Sequence, residues 1–121
     1  MSTASIKTLT SDTFTQTVSG DGIVFVDFWA DWCGPCKQFA PIFEQACAEH
    51  ADITFGKVDT EAERALGQAL NVTSIPTVMA FRDGVMVFAQ AGAMHKRMLS
   101  DLIAQVRELD MDSVRSKLAD R

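Results

Sequence analysis

Tyrosine is absent from this 121-residue chain, and only three cysteines, three prolines and two histidines occur in it. So small and odd a cysteine count does not build the disulfide framework of a small secreted domain. Basic residues are also few: 11 Lys and Arg stand against 16 Asp and Glu, a formal charge of −5. That balance argues against nucleic acid or an anionic membrane surface as the main partner. No apolar run reaches membrane-spanning length. Met1-Ser2-Thr3-Ala4-Ser5 carries neither the basic region nor the apolar core of an export signal. No Gly-rich nucleotide loop is found, so no cofactor is expected. What remains is one globular domain, 47% apolar and 22% charged, long enough to enclose a core. A cytoplasmic monomer is expected.

Against that plain background one stretch stands out, Asp27-Phe28-Trp29-Ala30-Asp31-Trp32-Cys33-Gly34-Pro35-Cys36-Lys37. Ile23 to Ala30 is nearly all apolar, β-branched or aromatic, and reads as a strand buried on both faces. Asp27 lies in its middle, where alternation places it with Phe25 and Trp29, so either face leaves the carboxylate dry. Downstream, Pro35 suits the first position of a helix, where a missing N–H costs nothing. Phe39, Ala40, Phe43, Ala46 and Cys47 then recur at three- and four-residue steps. Cys36 lies in phase with that stripe and should face the core, whereas Cys33, at the helix lip, should face solvent.

This placement predicts reactivity. A Cys33 thiolate at a helix N-terminus meets unpaired backbone N–H groups and the positive end of the helix dipole, which lower its pKa. Cys36, turned inward, stays a thiol until a base takes its proton, and Asp27 is the nearest candidate. Desolvation should raise the Asp27 pKa towards the range useful for proton transfer. Trp29 is expected in the core beneath this loop, and Trp32 beside the two thiols on a docking surface.

Cys33-x-x-Cys36 and Cys47-x-x-His50 together have the ligand types of a structural zinc site. If Pro35 to His50 is one helix, however, Cys36 and Cys47 lie about 16 Å apart. Zinc ligands converge to about 2.0–2.3 Å from one ion, so no metal is expected. The same separation excludes a Cys36–Cys47 disulfide. Cys47 reads as a small core residue, and His50 and His95 as surface histidines without partners.

The rest follows coarsely from periodicity and punctuation. Ile6 to Leu9 is a short strand, followed by a Ser11-capped helix to Val18. Ile53 to Val58 is a strand. Thr60-Glu61-Ala62-Glu63 has the form of a capping box opening a helix to Leu70, with Asn71 as its stop. Thr77 to Phe81 and Val85 to Ala91 form a hairpin around Arg82-Asp83-Gly84. Met98, Leu102, Val106 and Leu109 stripe a closing helix. Met111, Val114 and Leu118 continue at helical spacing, consistent with a short extra helix or a frayed end. Residues 1–109 are therefore read as one domain and 110–121 as an extension.

The segment Val26 to Lys37, with its Trp-Cys-Gly-Pro-Cys core, resembles the active-site signature of the thioredoxin family. Ala40-Pro41, Lys57 in Gly56-Lys57-Val58-Asp59, Ser74-Ile75-Pro76-Thr77, Phe81-Arg82-Asp83-Gly84 and Gly92-Ala93 are similar in order and spacing, so the likeness covers roughly Ile6 to Leu109. It implies an α/β thioredoxin fold: a central mixed sheet of about five strands with helices on both faces. It implies protein-disulfide reduction, with Cys33 as nucleophile and Cys36 as resolving thiol, Asp27 and Lys57 tuning proton transfer. It also implies a cis-proline at Pro76 facing the dithiol, and a substrate surface of Trp32, Gly34, Pro35, Ile75, Pro76, Gly92 and Ala93. Its partners would be disulfide-containing proteins and a flavin-dependent thioredoxin reductase drawing on NADPH. Gly-Pro between the thiols fits a reductant, since strongly oxidising relatives carry other residues there. From the residues alone, Lys57 is equally a strand-end lysine reaching water, and Gly92 equally a turn glycine. A binding module using the same apolar surface, with thiol turnover incidental, is the competing class.

Overall fold

The computed structural model describes residues 5–120; the reading of residues 1–4 as free of an export signal lies outside them. The elements run β1 (Lys7–Thr8), α1 (Phe14–Val18), β2 (Ile23–Trp29), α2 (Gly34–Glu49), β3 (Thr54–Asp59), α3 (Arg64–Ala69), β4 (Thr77–Arg82), β5 (Val85–Ala91), α4 (Lys96–Arg107) and α5 (Met111–Ala119). The strands form one sheet in the order β1-β3-β2-β4-β5. β3 pairs parallel with β1 and β2, whereas β4 pairs antiparallel with β2 and β5. The sheet is therefore mixed. β2 lies at its centre, which is why its sequence shows no polar face apart from Asp27.

Alternation along the strands divides the core in two. Phe25, Phe55 and Val78 pack with Phe39 and Phe43 of α2 and Leu99, Ile103 and Val106 of α4. On the other face Val24, Val26, Phe28, Val58 and Met79 pack with Phe14 and Val18 of α1, and with Leu66. Helices thus cover both faces. Phe25, Phe28, Phe39, Phe43 and Phe55 are all buried, and each contributes about 1.5–3 kcal/mol of apolar burial.

Several local expectations are corrected. Ser11 does not cap α1. Thr13 stands at that position, but its Oγ1 accepts from the Thr10 N–H at 3.0 Å and makes no capping bond to the helix, and Ser11 donates through both its N–H and its Oγ to Glu63 Oε1. The Thr60–Glu63 capping box does not form either, because both partners have stronger engagements. Thr60 Oγ1 donates to the Trp29 carbonyl, Glu63 accepts from Ser11, and α3 begins only at Arg64. In α4 the buried stripe is Leu99, Leu102, Ile103 and Val106; Met98 is exposed and Leu109 falls beyond the helix. The period was right and the phase partly wrong, since Leu99 and Ile103 lie on the same broad apolar face.

The punctuation residues behave as their chemistry predicts. Asn71 adopts φ 60° just past α3, and Asp83 and Gly84 adopt φ 53° and 83° in the β4–β5 turn. Both positions need the left-handed region that Asn, Asp and Gly tolerate. The extension forms α5, with Asp110 accepting from the Asp112 and Ser113 N–H groups as its cap. Met111 is buried, while Leu118 at the far end stays exposed.

Neither histidine is without a partner. His50 Nδ1 lies 3.1 Å from the Arg107 guanidinium, which also binds Asp52 at 2.6 and 2.9 Å. His95 is the N-cap of α4, its Nδ1 accepting from the Met98 N–H. Cys47 is a buried free thiol on the inner face of α2, as its position in the stripe implies. No described helix is long and apolar enough to cross a membrane, and no cluster of metal-ligating side chains is present among the described residues.

Candidate active site

β2 delivers its C-terminal end directly into α2, so the residues between strand and helix gather at one edge of the sheet. Cys33 is the N-cap of α2, with extended backbone at φ −89° and ψ 108°, and its sulfur accepts the Cys36 N–H at 3.2 Å. Gly34 opens the helix and Pro35 follows it, one position later than expected but still within the turn where proline costs no hydrogen bond. Pro41 lies inside the same helix, which runs on to Glu49.

Cys33 and Cys36 are joined as a disulfide with Cα atoms 5.2 Å apart. The expectation of an exposed and a sheltered sulfur is not met in this oxidised form, in which the two residues are 4% and 3% exposed. Both cysteines pack with Ala30 against Trp29 and Ile75. The asymmetry lies in the backbone: Cys33 alone occupies the cap, where its sulfur faces the first N–H groups of α2.

Beneath this cap Asp27 is fully buried, and neither carboxylate oxygen has a hydrogen-bond partner among the described residues. Burial pushes its pKa from 3.8 up to about 7, against a smaller opposing pull from the Lys57 ammonium. Lys57 comes from β3, where it is the direct partner of Asp27 in the parallel register. Its Nζ sits 5.0 Å from the centre of the Trp29 ring, close enough for a cation–π contact. Lys57 also lines a cleft of about 120 Å³ with Trp29, Ala30, Asp31, Cys36, Lys37 and Ala40. The cleft brings Cys36 and Lys57 to one opening, and Lys57 faces Asp27 in turn. Trp29 is half-buried rather than core, because its ring is the floor on which the lysine rests.

The opposite wall is built by the segment before β4. The Ile75–Pro76 peptide bond is cis, as the resemblance implies, and the Ile75 carbonyl oxygen lies 3.7 Å from Cys33 Sγ. Gly92 holds φ 109° and donates its N–H to the Pro76 carbonyl at 2.8 Å. Gly92 is therefore a conformationally demanding turn glycine, and its bond ties the exposed Gly92-Ala93 corner to Pro76. Gly34, Pro35 and Trp32 are exposed on the other side of the disulfide. Trp32, 69% exposed, is the most exposed large apolar residue of those described. Sequence reasoning missed what holds it. Its Nε1 donates to Glu61 Oε2 at 3.3 Å, and nothing in a charged loop after β3 marks Glu61 as a partner of a residue 29 positions earlier.

Comparisons with known proteins agree with this geometry. Residues 5–105 match the family described as Thioredoxin. The chain is 52% identical over 113 residues to "Putative thioredoxin 2" of Streptomyces coelicolor, covering 93% of this chain and 84% of that protein. It is 40% identical over 105 residues to a thioredoxin of Mycobacterium tuberculosis, covering 83% and 90% respectively. Among solved structures, Malassezia sympodialis thioredoxin (Mala s 13) superposes with a TM-score of 0.78 at 31% identity, over 87% of this chain and 94% of that one. Plasmodium falciparum thioredoxin gives 0.76 at 34% identity, over 83% and 98%.

Proposed function

The chain belongs to the thioredoxin family and is a thiol-disulfide oxidoreductase acting by dithiol–disulfide exchange; from that premise we propose a protein-disulfide reductase in which Cys33 attacks and Cys36 resolves. The observation that carries the assignment is the N-cap position of Cys33. In the reduced protein the helix N–H groups stabilise a thiolate there, whereas Cys36 sits within the first turn, facing the core.

In the first step the Cys33 thiolate attacks one sulfur of the substrate disulfide. A Cys33–substrate bond forms, the substrate S–S bond breaks, and the departing sulfur takes a proton. Cys36 then loses its proton to the Asp27 carboxylate and attacks Cys33 Sγ. The Cys33–Cys36 bond forms, the mixed disulfide breaks, and the second substrate sulfur leaves as a thiol. Two electrons have passed to the substrate, and the enzyme is left in the disulfide form described above. Asp27 suits the transfer because a carboxyl titrating at about 7 is present in both protonation states near neutral pH. Lys57, facing it across the sheet, pulls that value down and sets how readily the carboxylate forms.

Substrate lies across Trp32, Gly34, Pro35, Ile75, Gly92 and Ala93; Pro76 is fully buried and so adjoins that surface through Ile75 rather than forming part of it. Half-buried Ile75 and the exposed Gly92-Ala93 corner lie along the edge where an extended chain would pair. As a family member the protein has disulfide substrates and a reductase as partners; the finer proposal is a flavin-dependent thioredoxin reductase supplied by NADPH. The same reading makes the protein a cytoplasmic monomer, with residues 110–121 an extension to its redox domain and Gly34-Pro35 favouring the reducing direction.

Trapping tests the assignment. Reduced Cys36→Ser protein incubated with a protein disulfide should accumulate a one-to-one adduct through Cys33, seen by intact-mass analysis and lost on adding dithiothreitol. Cys33→Ser should give none. Adducts on the Cys33→Ser protein alone would reverse the two roles.

A further inference from the structure

The sulfur that must react is nearly enclosed, while the indole beside it is the most exposed large apolar group of those described. An unrestrained indole would sweep many orientations, and each substrate would have to arrest it on docking, at an entropic cost to affinity. Trp32 is not unrestrained. Its Nε1 donates to Glu61 Oε2 at 3.3 Å, and the other carboxylate oxygen of Glu61 takes the Arg64 guanidinium at 2.6 Å.

The arm carrying Glu61 is itself tied at several points. Thr60 donates its N–H and its Oγ1 to the Trp29 carbonyl, at 2.9 and 3.1 Å. The Glu61 and Ala62 N–H groups both donate to Asp59 Oδ1, at 2.9 and 3.3 Å. Asp59 in turn is the β3 partner of Trp29 in the register. The loop is thus stitched to the end of β2 immediately before the turn that carries Trp32. Two segments far apart in sequence are locked together so that a carboxylate meets an indole.

We propose that Glu61, braced by Arg64, is a positioning residue for substrate recognition: it fixes the Trp32 ring as a preset wall of the docking cleft, for extended disulfide-bearing segments of proteins rather than small disulfides. The inference rests on the disulfide-reductase reading of the same site. With its N–H engaged by Glu61, the ring presents its face and its apolar edge to an incoming chain. A protein segment is long enough to lie along that wall while its sulfur reaches Cys33. A small aromatic disulfide reaches the sulfur with little contact to Trp32.

The test compares Glu61→Ala, Glu61→Gln and Arg64→Ala with the parent. Each is assayed on insulin, as the protein disulfide, and on 5,5′-dithiobis(2-nitrobenzoic acid), as the small one. Losing one modest hydrogen bond that orients the ring should raise KM for insulin about three- to fivefold in Glu61→Ala, with the effect on KM rather than kcat. KM for the small disulfide should stay within about twofold. Glu61→Gln, which keeps an acceptor for the indole N–H, should recover most of the loss, and Arg64→Ala should show a smaller one. Independently of turnover, the Trp32 indole N–H should exchange with solvent faster in Glu61→Ala, as read from its nitrogen-15 resonance. Equal KM changes on both substrates, a fall confined to kcat, or unchanged indole exchange would overturn the proposal. A parent protein inactive on both disulfides would instead bring down the reductase reading on which it rests.

Discussion

Asp27 provides the sharpest quantitative prediction, because its burial costs stability whenever it is charged. The carboxyl has a pKa near 3.8 in the unfolded chain and about 7 in the folded one. The folded state therefore holds the proton more tightly. Below pH 3.8 both states are protonated and no penalty applies. Between pH 3.8 and 7 the unfolded chain ionises first, so folding stability falls as pH rises. Above 7 the folded state carries the charge as well, and the full penalty is reached, on the order of 4 kcal/mol. Asp27→Asn imitates the protonated carboxyl in shape and cannot ionise. Its buried amide meets the same lack of partners as the acid, so the two proteins should be similar in stability near pH 4. At pH 8 the oxidised variant should be more stable than the parent by about 2–4 kcal/mol, the lower figure allowing for a Lys57 ammonium left without its counter-charge. Urea midpoints measured from pH 4 to 9 give the difference curve directly. The curve should rise between pH 4 and 7 and then flatten. Parallel profiles, or a variant less stable at pH 8, would refute the argument that an unsatisfied carboxylate strains this core. On the proposed assignment of Asp27 as the base for Cys36, the same variant should also resolve its mixed disulfide more slowly.

Two further changes probe the scaffold. Gly56→Ala places a Cβ 2.6 Å from Leu9 Cδ1 and 2.9 Å from its Cγ; because Leu9 is itself buried, the clash should cost about 1–3 kcal/mol in urea unfolding, and an unchanged midpoint would mean that β1 yields freely. Arg82→Ala removes one guanidinium nitrogen that donates to the Val106, Arg107 and Leu109 carbonyls at 2.9, 3.1 and 2.6 Å. These carbonyls lie in the last turn of α4 and just beyond it, where helical N–H partners run out, so the loss should cost about 2–3 kcal/mol and speed amide exchange through α5, whereas exchange limited to α4 would detach α5 from that cap.

The order and kind of the elements were legible because strong local signals carry them: a long apolar strand, an amphipathic helix after Pro35, and a turn at Asp83-Gly84. The boundaries that moved were those where a side chain had two possible partners. Ser11 and Thr60 are good caps by type, but Glu63 and the Trp29 carbonyl, brought near by the parallel pairing of β3, claimed them instead. His50, His95 and Arg82 were silent for the same reason. Their partners lie on other elements or along a helix end that only the finished chain defines.

By itself the sequence determined the chemistry: two thiols at the entry of a helix, a carboxyl in a strand with no polar face, and a proline ahead of β4. Those properties are local, set by spacing and residue type. Tertiary structure alone decided how the groups meet. It laid Lys57 opposite Asp27 by parallel register, brought the Ile75 carbonyl to the Cys33 sulfur, enclosed both sulfurs alike, and turned Glu61 onto Trp32. The reason is that strand register and loop closure join residues tens of positions apart, and no pattern confined to neighbouring residues encodes that distance.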